Sequence, residues 1–323
     1  KVFDAAAIVL ATGAHDRPVP FPGWTLPGVM TAGGAQSLAK TQWVMPGRRV
    51  VLAGAGPFLL PVAQQIIRSG AEIVALVEAT SPRQWLPYLP ALWGQWVRFA
   101  EAWDYMRSIR RAKIPIRYRH KVVAAHGNGS VERVSIANVD ADWRAIDGTE
   151  KTIDADALAV GYGFLASVEL AASIGCDLRW DADCTGWFVR TDAAMATSVP
   201  GVFAAGELAG FAGAAPALEE GAIAGIGAAA HAGRAGGEAD RRQREHTRRR
   251  ARLERFASSV NRLFRPRPGL FENLTGDTIV CRCEEVTADE IRRYATADAG
   301  SVKAIKDLTR AGMGLCQGRF CRS

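Results

Sequence analysis

Residues 48–78 read RRVVLAGAGPFLLPVAQQIIRSGAEIVALVE. An apolar run ends at Gly54-Ala-Gly56, a helical stretch follows from Pro61, and a second apolar run closes on Glu78. This is the pattern of a β-α-β unit. The runs are continuous rather than alternating, as in parallel strands buried on both faces. Gly54-x-Gly56 falls between strand and helix, where backbone N–H groups and a helix N-terminus cradle a dinucleotide phosphate. Glu78 ends the second strand 24 residues after Gly54, where a ribose-binding acid is expected. Leu59 stands at the third glycine position, and its bulk is expected to hinder helix–strand packing or phosphate approach. Pro61 lies in the first turn of the helix. Two readings stay open: a bound adenine nucleotide, or a vestigial Rossmann-like fold that packs against a partner.

Upstream, AAAIVLATGA at residues 5–14 suits a strand buried on both faces, with Thr12-Gly13 as its exit. The proline-rich stretch from Pro18 to Pro27 reads as an extended connector. The chain opens directly on the approach to this strand, without Met, and a preceding segment is expected. Downstream, residues 114–160 carry short strand patterns, with Gly127-Asn-Gly129 as a turn between two of them. Leu158 to Gly163 reads as a further strand and its exit. Residues 198–230 give a strand from Val202, then Gly206-Glu207, a small-residue loop, and a helix from about Ala215.

At 323 residues the chain is long enough for two or three domains. Hydrophobic content of 48% with 23% charged residues is ordinary for a globular protein, and the 33 glycines cluster in turn-like motifs. The net charge of +7 is concentrated at residues 241–267, which argues against a general nucleic-acid-binding role. No uncharged apolar run is long enough for a transmembrane helix. Nothing looks secreted, so a cytoplasmic location is expected.

Residues 83–119 mix aromatics (Trp85, Tyr88, Trp93, Trp96, Phe99, Trp103, Tyr105) with Arg98, Arg107, Arg110 and Arg111. Domain packing or a protein interface explains this better than nucleic acid, because no binding module surrounds it. Residues 238–267 hold eleven arginines, interrupted at helical spacing by Leu253, Phe256, Val260 and Leu263. An amphipathic linker helix is predicted, its basic side a solvated face or a docking surface for an acidic partner or electron acceptor. Isolated His120 and His126 are read as packing or surface residues. Cys176 and Cys184 lack the spacing of a redox disulfide and are read as inert thiols.

The other four cysteines end the chain as Cys281-Arg-Cys283, a gap of 32 residues, then Cys316-Gln-Gly-Arg-Phe-Cys321. Four thiolates from two short turns suit an iron–sulfur cluster or a zinc ion, and disulfides are disfavoured in a reducing compartment. Gly312, Gly314 and Gly318 let backbone N–H groups approach bridging sulfides, which favours the cluster. Thr287-Ala-Asp-Glu290 is a capping box opening a short helix. A domain this small needs a staple, which the cluster supplies.

The phrase CRCEEVT…LTRAGMGLCQGRFC resembles the 2Fe–2S domain related to bacterioferritin-associated ferredoxin. It is especially similar to the version ending the flavoprotein subunits of opine oxidases, hydrogen cyanide synthase and heteromeric proline or hydroxyproline dehydrogenases. VLATGAHDRPVPFPGWTLPGVMTAGGAQ and SVPGVFAAGE resemble the ATG segment and second FAD motif of the same two-domain flavoproteins. The first FAD motif is not in this sequence.

The resemblance implies an α/β fold of two dinucleotide-binding, Rossmann-like domains of the disulfide-reductase flavoprotein type, plus a small, mainly α, 2Fe–2S domain. Residues 1–45 and 150–235 would form the FAD domain, 46–149 the NAD-like domain, 236–270 a basic linker, and 271–323 the cluster domain. Cys281, Cys283, Cys316 and Cys321 would be the cluster ligands. Thr12, Gly13, Gly206 and Glu207 would serve a partial FAD site, Glu207 replacing the usual Asp on a ribitol hydroxyl. Gly54, Gly56 and Glu78 would serve a second adenine nucleotide. The sequence offers no catalytic base. That agrees with what the resemblance implies, oxidation of an amino acid, imino acid or opine in an amino-acid-oxidase-like beta subunit. A further partner would be a small additional subunit. No nucleic acid is expected, and any membrane association would be peripheral, through the complex. The rival expectations are a free-standing NAD(P)H-dependent flavin oxidoreductase and a non-catalytic scaffold subunit.

Overall fold

The computed structural model describes residues 2, 4–88, 96–234, 236–296 and 301–321. Trp93 and the side chain of Trp96, two members of the aromatic stretch, lie outside the described residues. The chain divides into two compact units. One comprises residues 16–84, 96–163 and 266–323, the other residues 1–15, 85–95 and 164–265.

The first unit is built on a five-stranded parallel sheet. Its strand order is Val29–Thr31, Ala157–Gly161, Arg49–Gly54, Glu72–Glu78, Ile116–Tyr118. Val50, Val51, Leu52 and Ala53 are wholly buried, so the apolar run does lie between two covered faces. Helices α1 (Ala32–Thr41), α2 (Leu59–Arg68) and α3 (Trp96–Arg111) belong to this unit. Leu59, Val62, Ala63 and Ile66 of α2 recur at helical spacing and fill the core against Val50, Leu52, Leu76 and Ile109.

Leu59 does not obstruct this packing: its side chain is 1% exposed. The space comes from the neighbouring strand, where a Cβ on Gly161 would come 3.3 Å from Leu59 Cδ2. The small residue needed for close packing has moved from the helix to the strand. Gly54 is tighter still, since a Cβ there would lie 2.0 Å from the Gly161 carbonyl oxygen. Gly54→Ala is therefore expected to lower stability by about 1–3 kcal/mol, the range for overpacking a filled core. The urea-unfolding midpoint measures it, and an unchanged midpoint would contradict this packing.

Residues 16–45 and 150–163, expected with the flavin domain, supply two strands of this sheet and group with the nucleotide-type unit. The unit continues as an antiparallel meander, His120–His126, Arg133–Asn138 and Lys151–Asp154. Its first turn holds Gly129 at φ 83°, as the Gly-Asn-Gly signal requires. In α3, Trp103 is 66% exposed with the Arg110 guanidinium over its ring, while Ile109 is buried.

In the second unit, Ile8–Leu10 pairs in parallel with Val202–Ala204. Leu10 is buried, but Ile8 and Val9 are 49% and 42% exposed. The expectation of a strand buried on both faces fails here. Its pairing makes a two-stranded sheet, and Ile8 and Val9, which face opposite sides of it, are each only partly covered. The unit also contains α4 (Glu169–Ser173), the hairpin Leu178–Asp181/Gly186–Val189, α5 (Ala214–His231) and α6 (Ala239–Leu263). The basic segment is a single 25-residue helix. It lies against α5: His246 Nδ1 is 2.6 Å from Glu219 Oε2, and Arg250 Nε donates to Glu220 Oε1 at 3.0 Å. Ala257 and Leu263 are its buried apolar residues.

The last residues of the first unit form a small hairpin, Ile279–Cys281 with Val286–Thr287, then α7 (Ala288–Thr296) and α8 (Val302–Thr309). The capping box forms as read. Glu290 Oε2 accepts from Thr287 N at 2.8 Å, and Thr287 Oγ1 accepts from Glu290 N at 3.4 Å. This segment is tied to the rest of its unit by Trp24, whose Nε1 donates to the Ile279 carbonyl at 2.6 Å. Lys121 adds a second tie, its Nζ donating to the Gly269 carbonyl and to Asn273 Oδ1.

Candidate redox centres

The four terminal cysteines meet in two thiol pairs, Cys281 with Cys321 and Cys283 with Cys316. None of the six cysteines is disulfide-bonded, and among the four Cys281 is buried and Cys283 exposed. Among the described residues no group of three or more His, Cys, Asp or Glu side chains is arranged to hold a single metal ion. Two pairs are instead what a two-iron cluster needs, with four cysteines shared between two irons.

Backbone N–H groups converge on Cys281 and Cys316, whereas burial and the Cys281 thiol push Cys321 up to about 12. Gly312 N donates to Cys281 Sγ at 3.4 Å. At Cys316 burial raises the thiol pKa, but N–H groups of Phe320, Gly318 and Arg319 and the Cys283 thiol outweigh it, so the net direction is down. Gly312 and Gly318 sit at φ 82°, which lets the loop turn its N–H groups inward. A Cβ on Gly314 would lie 2.4 Å from Cys283 Cβ, so the second turn can approach the first only because residue 314 is glycine. These residues fit a 2Fe–2S cluster.

Thr12-Gly13 and Gly206-Glu207 leave the carboxyl ends of adjacent strands, with Leu10 opposite Ala204. Thr12 Oγ1 donates to the Ser167 carbonyl at 2.6 Å, and Ser167 N donates to the Gly13 carbonyl at 2.9 Å. Glu207 lies near the start of α5: burial raises its pKa, countered by a hydrogen bond from the N–H of Gly213, the residue capping that helix. Gly206 N donates at 2.7 Å to Glu220, whose side chain is buried and bound on its other oxygen by Arg250. Glu220 carries no mark in the sequence. It lies fourteen residues beyond the loop it supports, and only its position on the inner face of α5 distinguishes it. A half-buried acid beside a glycine loop and a helix N-terminus fits the ribitol end of a flavin.

In the first unit Gly54, Gly56 and Glu78 do come together, though differently from the simple expectation. Glu78 is 8% exposed and accepts hydrogen bonds from Gly56 N at 3.1 Å and from Thr80 N and Oγ1, each at 2.9 Å. Burial raises its pKa, and these donors oppose the shift. The carboxylate thus holds the glycine turn closed with an N–H that a phosphate turn would otherwise offer. His120 Nδ1 lies 2.8 Å from the Tyr118 carbonyl, and His126 Nε2 lies 2.8 Å from Ser135 Oγ. Cys176 is buried, its thiol 3.5 Å from Thr197 Oγ1, and burial pushes Cys184 up to about 12.

A parallel glycine-rich fold followed by a paired-thiol segment defines a flavin-type oxidoreductase carrying an iron–sulfur domain. Residues 1–237 match the family of pyridine nucleotide-disulphide oxidoreductases, and residues 279–323 match the BFD-like [2Fe-2S] binding domain. The chain belongs to the pyridine nucleotide-disulphide oxidoreductase family. Membership implies FAD and NAD(P) binding in the first part and a 2Fe–2S cluster in the second. Hydrogen cyanide synthase subunit HcnB of Pseudomonas aeruginosa is 34% identical over 97% of this chain and 68% of its own length. The A-type opine oxidase subunit of Agrobacterium tumefaciens (strain Ach5) is 30% identical over 99% of this chain and 63% of its own. The chain thus spans roughly two thirds of these relatives. Among solved structures, L-proline dehydrogenase from P. horikoshii matches with a TM-score of 0.60 at 20% identity, over 98% of this chain and 51% of that one. No helix among the described residues is long and apolar enough to cross a membrane.

Proposed function

We propose that this chain is the electron-transferring flavoprotein and iron–sulfur subunit of a heteromeric dehydrogenase or oxidase. Its partner, of the amino-acid-oxidase kind, oxidises the C–N bond of an amino acid, imino acid or opine. The observation that carries this reading is the paired thiols of Cys281, Cys283, Cys316 and Cys321. They are furnished with backbone N–H donors and terminate a chain whose larger part is a flavoprotein fold. Relatives that are named subunits of hydrogen cyanide synthase and opine oxidase support the heteromeric part.

When bound, flavin and cluster supply the passage between two-electron and one-electron chemistry. The chain's own residues hold and tune them. Gly312 N–H and the N–H groups converging on Cys316 stabilise thiolate charge and favour the reduced state. Glu207 offers an acceptor to a ribitol hydroxyl, with Glu220 and Arg250 holding the Gly206 loop beneath it. Thr12, tied to Ser167, shapes the adjacent strand exit. Glu78 keeps the second glycine turn rigid and lowers its capacity for a nucleotide phosphate.

Visible absorbance of the purified protein tests the proposal. A 2Fe–2S spectrum is expected to bleach only when an amino-acid or opine substrate is added together with the co-purified partner. Bleaching by NADH alone would make the chain a free-standing reductase, and a preparation with no iron would overturn the proposal.

A further inference from the structure

One strongly charged surface has no part in the redox chemistry above. On α6, the docked side is set by His246 and Arg250, which contact Glu219 and Glu220, and by buried Ala257. At about 100° per residue, Arg244, Arg248, Arg252 and Arg255 fall on the opposite side in a single stripe. All four are exposed, and among the described residues none is ion-paired to a carboxylate. Their neighbours on the same helix are paired: Arg241 and Arg242 with Glu238, Arg249 with Glu245, Arg262 with Asp183. The open space between the side chains of the four is also lined by Arg241, Arg249, Glu245 and Ala251, all on α6, and Glu245 is the carboxylate paired with Arg249. Like charges at i, i+4 destabilise a helix. Within the chain this stripe carries that cost without compensation.

We propose that this stripe is the docking surface for an acidic helical face of a partner protein. The four guanidinium groups run over about 16 Å at one helical turn per step. A helix bearing carboxylates at i, i+4, i+8 and i+11 repeats with the same period, so each arginine meets one carboxylate in a charge-assisted pair. Nucleic acid matches the charge but not the period: its charges repeat about every 3.4 Å along a strand, against about 6 Å between successive arginines four residues apart. A lipid surface also fits less well. Thr247 and Ala251 are the exposed neighbours between the arginines, while the buried apolar residues of α6 lie on its docked side.

The test uses the full chain and a fluorescent synthetic helix with Glu at those four positions in an Ala/Gln background. A peptide of the same composition with scrambled spacing, a short DNA duplex and phosphatidylglycerol vesicles are the alternatives. The matched helix is expected to bind about tenfold tighter than the scrambled one, and to weaken with salt. The double variant Arg248→Glu/Arg252→Glu is expected to weaken the matched helix about tenfold or more. Arg242→Glu/Arg262→Glu, with the same change of net charge at residues of α6 outside the stripe's lining, should move it less than about threefold. Circular dichroism of both variants establishes that α6 is intact. Equal binding of matched and scrambled peptides, equal loss in the two variants, or tighter binding of the duplex or the vesicles would overturn the proposal.

Discussion

Cys316→Ser is expected to strip the chain of iron. In the structure Cys316 pairs with Cys283 and collects N–H groups from Phe320, Gly318 and Arg319, an environment made for a thiolate. A serine hydroxyl is not deprotonated near neutral pH and its oxygen is a poor match for iron in a sulfur-ligated cluster. Replacing groups that merely support metal ligands costs about 10–100-fold in affinity, so losing a ligand outright should cost at least that. The effect should spread beyond the cluster. The described residues between 279 and 321 form one two-stranded hairpin and two short helices, too little core to hold shape unaided. Iron and sulfide content should fall about tenfold or more, and hydrogen exchange across α7 and α8 should accelerate together. Cys176→Ser is the control, because that thiol is buried in the other unit beside Thr197 and should leave iron content unchanged. Full iron content in Cys316→Ser would refute the four-cysteine assignment.

The second large effect concerns Lys121, which is 1% exposed in a strand of the meander. Its ammonium donates to the Gly269 carbonyl and to Asn273 Oδ1, fastening the start of the cluster segment to the sheet unit. Burial lowers its pKa from 10.5 to about 8, against the opposing pull of Glu272 and Asp140. Between those two values the unfolded chain holds the proton more tightly than the folded chain. Stability should therefore rise with pH from about 8 to 10.5 and be flat in this contribution on either side. Lys121→Met should abolish that rise. It should also cost about 1–3 kcal/mol at neutral pH, because the Gly269 carbonyl and Asn273 side chain lose their donor. Denaturant midpoints at neutral and alkaline pH, for both proteins, check it. A variant that retains the full alkaline rise would show that Lys121 is not its source.

What could be read from the chain alone was chemistry packed into short stretches. The β-α-β unit at 48–78, the Gly127–Gly129 turn, the Thr287/Glu290 capping box and the single basic helix all follow from periodicity and residues a few positions apart. The cysteine spacing likewise announced two short turns of thiols, and the structure brings them together as pairs. Tertiary structure alone decided which distant residues answer one another. Gly161 makes room for Leu59, from a strand more than a hundred residues away. Glu78 turns inward onto Gly56, Glu220 reaches back to Gly206, and Lys121 fastens residue 269. Residues 29–31 and 157–161 are neighbours in one sheet, which moved the unit boundary. Ile8 and Val9 look like core in sequence and are half exposed in the fold. A hydrophobic run or a lone acid states what it can pair with. Which partner it finds depends on sheet order and on the space left by other side chains, and these exist only once the chain has folded.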